Sequence, residues 1–147
     1  MKKLLILIFL IPILTFAQFS KMEDVAKMQS GWAVVITYNI DENTSECYDT
    51  TYLIMCKNAE YDYLNDIFCL YGTKDYKEFK KFINWMGEMI RTMPTDCSKE
   101  FPEYDLSLFR VKLLGDMPIC FTQKKKRVYL NKAIYNRLVK KISQINN

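Results

Sequence analysis

The strongest constraint on the fold is the periodic segment TKDYKEFKKFINWMGEMIRTM, residues 73–93. Its apolar side chains recur every three or four residues, so a helix places them on one face. These side chains are Tyr76, Phe79, Ile83, Met86 and Ile90. We therefore predict an amphipathic helix that is capped by Thr73 and ended by Pro94, because proline disfavours helical geometry in the preceding residue. Gly87, inside this helix, indicates a close approach to the sheet.

The segments on either side of this helix read as short strands, because they are rich in β-branched and aromatic residues. Three predicted strands precede the helix and three follow it: residues 32–39, 50–56 and 67–72, then 107–115, 118–123 and 126–131. A second amphipathic helix is predicted to begin at Asn131 and to run to Ile145. Residues 18–30 fit a short helix that ends at Gly31, and residues 94–105 fit a loop.

The predicted order of elements is β-β-β-α-β-β-β-α, with the short helix in front. Strands that come in local groups, each closed by a helix, favour an α+β domain. We therefore expect an antiparallel sheet of about five to six strands with both helices packed on one face. No linker or repeat interrupts residues 18–147, so they are expected to form a single domain.

The first 17 residues have the pattern of a cleaved secretory signal. A short positive start precedes the apolar run Leu4–Leu14, which is shorter than the roughly 20 residues that a membrane-spanning helix needs. Thr15 and Ala17 are the small residues expected before a cut at Gln18. We therefore expect an exported protein, periplasmic or secreted, with no stable membrane span after cleavage. A retained anchor is the alternative.

Export would place the five cysteines in an oxidising compartment, where disulfides form. Cys47 and Cys97 lie in predicted polar loops, so we expect a bridge between them. Cys56, Cys69 and Cys120 lie in predicted strands, where a cysteine packs as a small apolar side chain. A bridge between Cys56 and Cys69, in neighbouring strands, is the competing pairing.

The chain has 21 Lys and Arg against 17 Asp and Glu, a formal net charge of +4. This balance is too mild to indicate a nucleic-acid-binding domain, so no nucleic acid is expected as a partner. The one basic run consists of Lys124, Lys125, Lys126 and Arg127. It is a candidate anion-binding site. Alternatively, it is the polar tip of a hairpin, where lysines deter edge-to-edge pairing of sheets.

Several chemistries are excluded by the residues that the sequence lacks. There is no histidine, so histidine-dependent catalysis and histidine metal sites are excluded. No Cys-x-x-Cys pair and no glycine-rich phosphate loop occur, and the polar segment that begins at Asp41 does not match a calcium loop. We assign no catalytic residue, metal or cofactor.

These observations favour a non-enzymatic binding module of the cell envelope whose partner is another macromolecule, expected to be a protein. A small histidine-free envelope hydrolase that uses Asp and Glu is the first alternative. An inhibitor or immunity-type protein is the second.

Overall fold

The computed structural model describes residues 19–27, 31–41, 44–60, 66–112 and 117–144, so the predicted signal, residues 1–17, lies outside the described residues. Within the described residues the chain forms eight β-strands, two α-helices and one 3₁₀ turn over Pro102–Tyr104. The first half contains β1 Phe19–Lys27, β2 Trp32–Ile40, β3 Cys47–Lys57, β4 Ile67–Thr73 and α1 Tyr76–Thr92. The second half contains β5 Ser98–Phe101, β6 Leu106–Arg110, β7 Ile119–Gln123, β8 Lys126–Leu130 and α2 Lys132–Ile142.

The strands form two antiparallel sheets of four strands each, in the orders β1-β2-β3-β4 and β5-β6-β7-β8. Each sheet is a meander that is followed by one helix, so the architecture is ββββα repeated once. The predicted α+β class, with antiparallel strands and two helices, is confirmed. The prediction of one sheet of five to six strands is wrong, because α1 separates β4 from β5 in the chain and these strands do not pair.

Two of the eight strands were not predicted. Residues 18–30 were expected to form a short helix, but Phe19–Lys27 pairs with β2 in an antiparallel ladder. The strand forms because this pairing satisfies backbone groups along an edge of β2. It was missed because a register shift between Asp24 and Ala26 breaks the two-residue alternation by which strands are recognised. Ser98–Phe101 lies in the predicted loop and is mostly exposed, so it has no buried apolar alternation.

One hydrophobic core joins the two sheets and the two helices. The buried residues of the first sheet include Trp32, Val34, Ile54, Cys56, Phe68 and Leu70. The second sheet contributes Leu106, Leu108, Ile119, Phe121, Val128 and Leu130. The helices add Phe79, Phe82, Ile83, Met86, Leu138 and Ile142. The predicted apolar face of the first helix is therefore the buried face of α1, with Tyr76 and Ile90 partly buried at its margin.

The free edge of β8 is closed by the end of β3. Arg127 donates its backbone N–H to the side-chain oxygen of Asn58 (3.0 Å), and its carbonyl accepts from the N–H of Ala59 (2.7 Å). Two residues along, the carbonyl of Tyr129 accepts from the indole Nε1 of Trp32 (3.0 Å). These bonds connect the two sheets without a shared strand ladder.

The ends of α1 are fixed by side chains on both sides. Asp75, rather than the predicted Thr73, caps its start, since its carboxylate accepts from the N–H of Lys77 (2.7 Å). At the other end, the guanidinium of Arg110 donates to the carbonyls of Ile90 and Met93. Ile90 lies in the last turn of the helix and Met93 is its C-cap, where a cation is favoured by the helix dipole.

Gly87 serves helix–helix packing rather than the predicted approach to the sheet. A Cβ at this position would overlap the hydroxyl and ring carbons of Tyr135 in α2. The glycine therefore allows the two helices to approach each other at this point. Burial raises the pKa of the Tyr135 phenol, while the charge of Arg91 acts in the opposite direction.

Candidate functional site

The predicted anion-binding run lies at the β7–β8 hairpin, but its four cations do not converge. Lys124 and Lys125 form the turn itself, with φ angles of 45° and 69°. Lys124 lies 3.8 Å from the carboxylate of Asp105, and Lys126 donates to Asp66 at 2.7 Å. Two of the four charges therefore already have a carboxylate partner.

Arg127 follows Lys126 directly in β8, so its side chain projects to the opposite face of the strand. Asp66 receives hydrogen bonds from Lys126 and then from Asn58, and these lower the pKa of its carboxyl below the usual value. This hairpin therefore contributes charge to the junction between the sheets. Anion binding by this run stays a prediction.

All five cysteines are free thiols in the structure, which forms neither of the two expected pairings. Cys69 pairs with Met55 and is exposed, whereas Cys56 pairs with Phe68 and is buried, so these two thiols lie on opposite faces of the first sheet. Burial raises the pKa of the Cys56 thiol well above its usual value and also raises that of Cys120. Neither is therefore a ready nucleophile.

A groove runs along the exposed side of α1. We call it the α1 groove. Its volume is about 540 Å³, within the range of ligand sites. It is lined by Lys77, Lys80, Lys81, Asn84, Trp85, Glu88, Arg91 and Tyr104. Seven of these residues lie on α1, at the three- and four-residue steps that bring side chains to one side of a helix.

The cations of the α1 groove are largely free of carboxylate partners. Lys81 lies 3.8 Å from Glu78, and both side chains are more than half exposed, so this pair contributes little. Within the described part of the chain, no carboxylate lies within ion-pair distance of Lys77 or Arg91. Lys80 lies 4.7 Å from the ring centre of Tyr76, which its charge attracts. The groove therefore presents an excess of positive charge to a ligand.

Two half-buried aromatic side chains form the floor of the α1 groove. The rings of Trp85 and Tyr104 lie 4.7 Å apart, and Trp85 also packs edge-on against Phe101 at 4.9 Å. Below them, the buried ring of Phe82 contacts both Trp85 and Tyr104, at 5.3 Å and 4.9 Å. This cluster fixes the positions of the two aromatic side chains, so the apolar floor is held rigidly under the cations.

A second groove lies between the two helices, and we call it the α1–α2 groove. Its volume is about 300 Å³, and it is lined by Tyr76, Lys80, Ile83, Asn84, Val139, Ile142 and Ser143. Val139 is 38% exposed, one of the largest exposures of an apolar side chain among the described residues. Lys80 and Asn84 line both grooves, so the two adjoin across one turn of α1.

A third groove, of about 440 Å³, follows the C-terminal end of α1 and includes Asp96, Cys97 and Arg110. The guanidinium of Arg110 is already engaged by the carbonyls of the helix, although its Nε is buried without a partner. No cluster of three or more Asp, Glu or Cys residues with metal-binding geometry occurs among the described residues.

The α1 groove was not predicted, because the mild net charge of the whole chain conceals an uneven distribution. The two helices carry eight of the 21 Lys and Arg residues but only two of the 17 Asp and Glu residues. The helices therefore have a formal charge of +6, and the rest of the chain −2. Counting charge by predicted element would have shown that the helices are basic, but four of these six charges belong to α2, which does not line the α1 groove. The groove itself depends on the fold, which brings Tyr104 beside the cations of α1.

Comparison of the chain with protein-family models, with curated proteins and with solved structures gives no match. Among the described residues, no helix combines the length and the apolar character that crossing a membrane requires.

Proposed function

We propose that this protein is a non-catalytic binding module of the cell envelope and that its α1 groove binds an acidic segment of a partner protein. The observation that carries the proposal is the composition of this groove, in which four cations and one carboxylate surround two aromatic side chains. Aromatic residues and arginine are enriched in protein interfaces. The excess of positive charge selects an acidic partner by complementarity.

Glu88 favours a protein segment over a nucleic acid. Its carboxylate lines the groove between the cations at the two ends of α1. A phosphate backbone carries a negative charge at every nucleotide and would be repelled at this point. A protein segment can place a neutral or polar residue opposite Glu88 and acidic residues on either side of it.

The hydrolase alternative requires two carboxylates a few ångströms apart in one cleft. None of the three grooves supplies such a pair. The α1 groove contains Glu88, the third groove contains Asp96, and the α1–α2 groove is lined by no carboxylate. The binding function is therefore the better supported of the two.

Export of the protein is part of the proposal and rests on the pattern of residues 1–17. The intact mass of the protein from its native host tests this part. A mass that begins at Gln18 supports a cleaved signal, whereas a mass that retains residues 1–17 contradicts it. Alkylation before and after reduction, in the same experiment, counts the thiols that are free in the cell.

In-cell photo-crosslinking tests the binding function. A photoreactive amino acid at Asn84, which is exposed and lines both helical grooves, is expected to cross-link one defined protein through a segment rich in Asp and Glu. Arg91→Glu in the same protein is expected to abolish this cross-link, because it reverses one of the four charges. The matched position is Lys99, an exposed cation on β5 outside the three grooves.

A cross-link from Asn84 that survives Arg91→Glu, or that forms equally from Lys99, would contradict the proposal. If the cross-linked protein is an enzyme that loses activity on binding, the module is an inhibitor or immunity-type protein. That outcome keeps the same binding surface and specifies what binding achieves.

A further inference from the structure

The α1 groove and the α1–α2 groove are chemically different, although they adjoin. The first is rich in cations, whereas the second is lined by Ile83, Ile142 and the exposed Val139. Among the described residues that line it, Lys80 is the one cation, and it belongs to both grooves. A ligand that crosses α1 at Lys80 and Asn84 therefore meets a charged surface on one side and an apolar one on the other.

We infer that the segment recognised by this protein is amphipathic. Its acidic residues contact the cations of the α1 groove, and one large aliphatic or aromatic side chain enters the α1–α2 groove. This inference rests on the proposed function, since it specifies the chemistry of the segment that the α1 groove binds.

The length of α1 sets the length of this segment. Lys77 and Arg91 are 14 residues apart, about 21 Å along the axis at about 1.5 Å per residue. An extended peptide spans this distance with roughly six residues, at about 3.4 Å each. Because the grooves share Lys80 and Asn84, the apolar residue must lie close to an acidic one.

A peptide fits these surfaces better than an anionic lipid. Both grooves are open to solvent along their length, so an acyl chain in the α1–α2 groove would remain largely exposed to water. A single side chain of about the size of Leu or Phe suits a volume of about 300 Å³ that is partly open. Glu88 would also repel a lipid phosphate in the α1 groove.

Selection from a random dodecapeptide library, displayed on phage, tests the inference on the immobilised full-length protein. Enriched peptides are then synthesised, and their affinities are measured by fluorescence anisotropy. Four proteins are compared: the wild type, Arg91→Glu, Val139→Ser and Ile67→Ser. Ile67→Ser is the matched control for Val139→Ser, since Ile67 is an exposed aliphatic residue (60%) outside both helical grooves.

We expect enriched peptides to combine at least two acidic residues with one large apolar residue. Arg91→Glu is expected to weaken their binding about tenfold or more, because it places like charges together. Val139→Ser is expected to weaken it about fivefold, through the loss of about two apolar carbons from the contact. Ile67→Ser is expected to leave the affinity unchanged.

Acidic peptides without an apolar residue, sensitive to Arg91→Glu but not to Val139→Ser, would overturn this inference and leave the proposed function standing. Two outcomes would overturn both this inference and the proposed function. In one, the peptides bind Arg91→Glu as tightly as the wild type; in the other, the wild type enriches no more peptides than Arg91→Glu does. Vesicles of phosphatidylglycerol and phosphatidylcholine provide the remaining comparison. Val139-dependent binding to these vesicles, with no peptide enriched, would assign the surface to a membrane and overturn both proposals.

Discussion

The side chain of Asn58 is the contact on which we expect the two sheets to depend most. It is 1% exposed and lies at the junction of β3 with the edge of β8. Its oxygen accepts from the N–H groups of Arg127 (3.0 Å) and Glu60 (3.2 Å), and its nitrogen donates to the carboxylate of Asp66 (3.0 Å). Asn58→Ala removes all three bonds.

The expected loss follows from these three partners. The N–H of Arg127 loses its acceptor at the junction, and an unsatisfied buried donor costs about 1–3 kcal/mol. The bonds to Glu60 and Asp66 add less, because both residues are partly solvated. We therefore expect the free energy of unfolding to fall by about 2–4 kcal/mol. At an m-value of about 2 kcal/mol/M, this lowers the urea midpoint by about 1–2 M.

Urea unfolding with two probes measures this effect. In a Trp85→Phe background, Trp32 is the remaining tryptophan, and its indole bonds to the second sheet. Its emission and the far-ultraviolet circular dichroism are expected to change together, at the same lowered midpoint. Asn84→Ala, at an exposed asparagine, should stay within about 0.5 kcal/mol of the background protein. A loss below 0.5 kcal/mol for Asn58→Ala would refute the reasoning, as would separate transitions for the two probes.

Three further predictions concern the helices and the junction. Gly87→Ala should lower the free energy of unfolding by about 1–3 kcal/mol, since the new methyl group overlaps Tyr135. In a Tyr135→Ala background, urea unfolding should show a smaller cost for the same substitution. Because the α1 groove attracts anions, Arg91→Glu should weaken the quenching of Trp85 emission by iodide and strengthen the quenching by caesium, relative to the wild type. The pKa of Asp66 is lowered in the folded state. The ionised carboxylate therefore stabilises the fold above the unfolded pKa of about 3.9, and this contribution is lost as the pH falls through the lower pKa of the folded state. Urea midpoints of the wild type and Asp66→Asn should therefore differ by a constant amount above about pH 5 and converge below about pH 4.

Local patterns in the sequence predict those elements whose own residues carry the signal. The apolar face of α1 is visible as three- and four-residue spacing, and the same side chains form part of the core. The strands β2, β3 and β4 are visible because their composition is β-branched and aromatic. In each case the residues that reveal the element are the ones that it buries.

Elements that depend on a partner far away in the sequence were missed. The strand β1 exists because it covers an edge of β2, and the mixed spacing of residues 19–27 does not reveal this pairing. Arg110 continues the face of β6 that buries Leu106 and Leu108, yet it is polar because it caps α1. The strand itself was predicted, over residues 107–115, but the capping role of Arg110 was not, because that role depends on the position of α1.

The candidate site also depends on more than one element, which explains why the basic run in the sequence was a poor guide to it. At the β7–β8 hairpin, two of the four cations lie in the turn and the other two project to opposite faces of β8. Asp66 and Asp105 neutralise part of their charge. On α1, cations that are separated in the sequence come to one side of the helix, beside Trp85 and beside Tyr104 from the second half of the chain. A surface that served solubility alone would need the charges but not the two aromatic rings, nor the exposed Val139 of α2 in the adjoining groove. The coincidence of all three is the argument that this surface binds a partner.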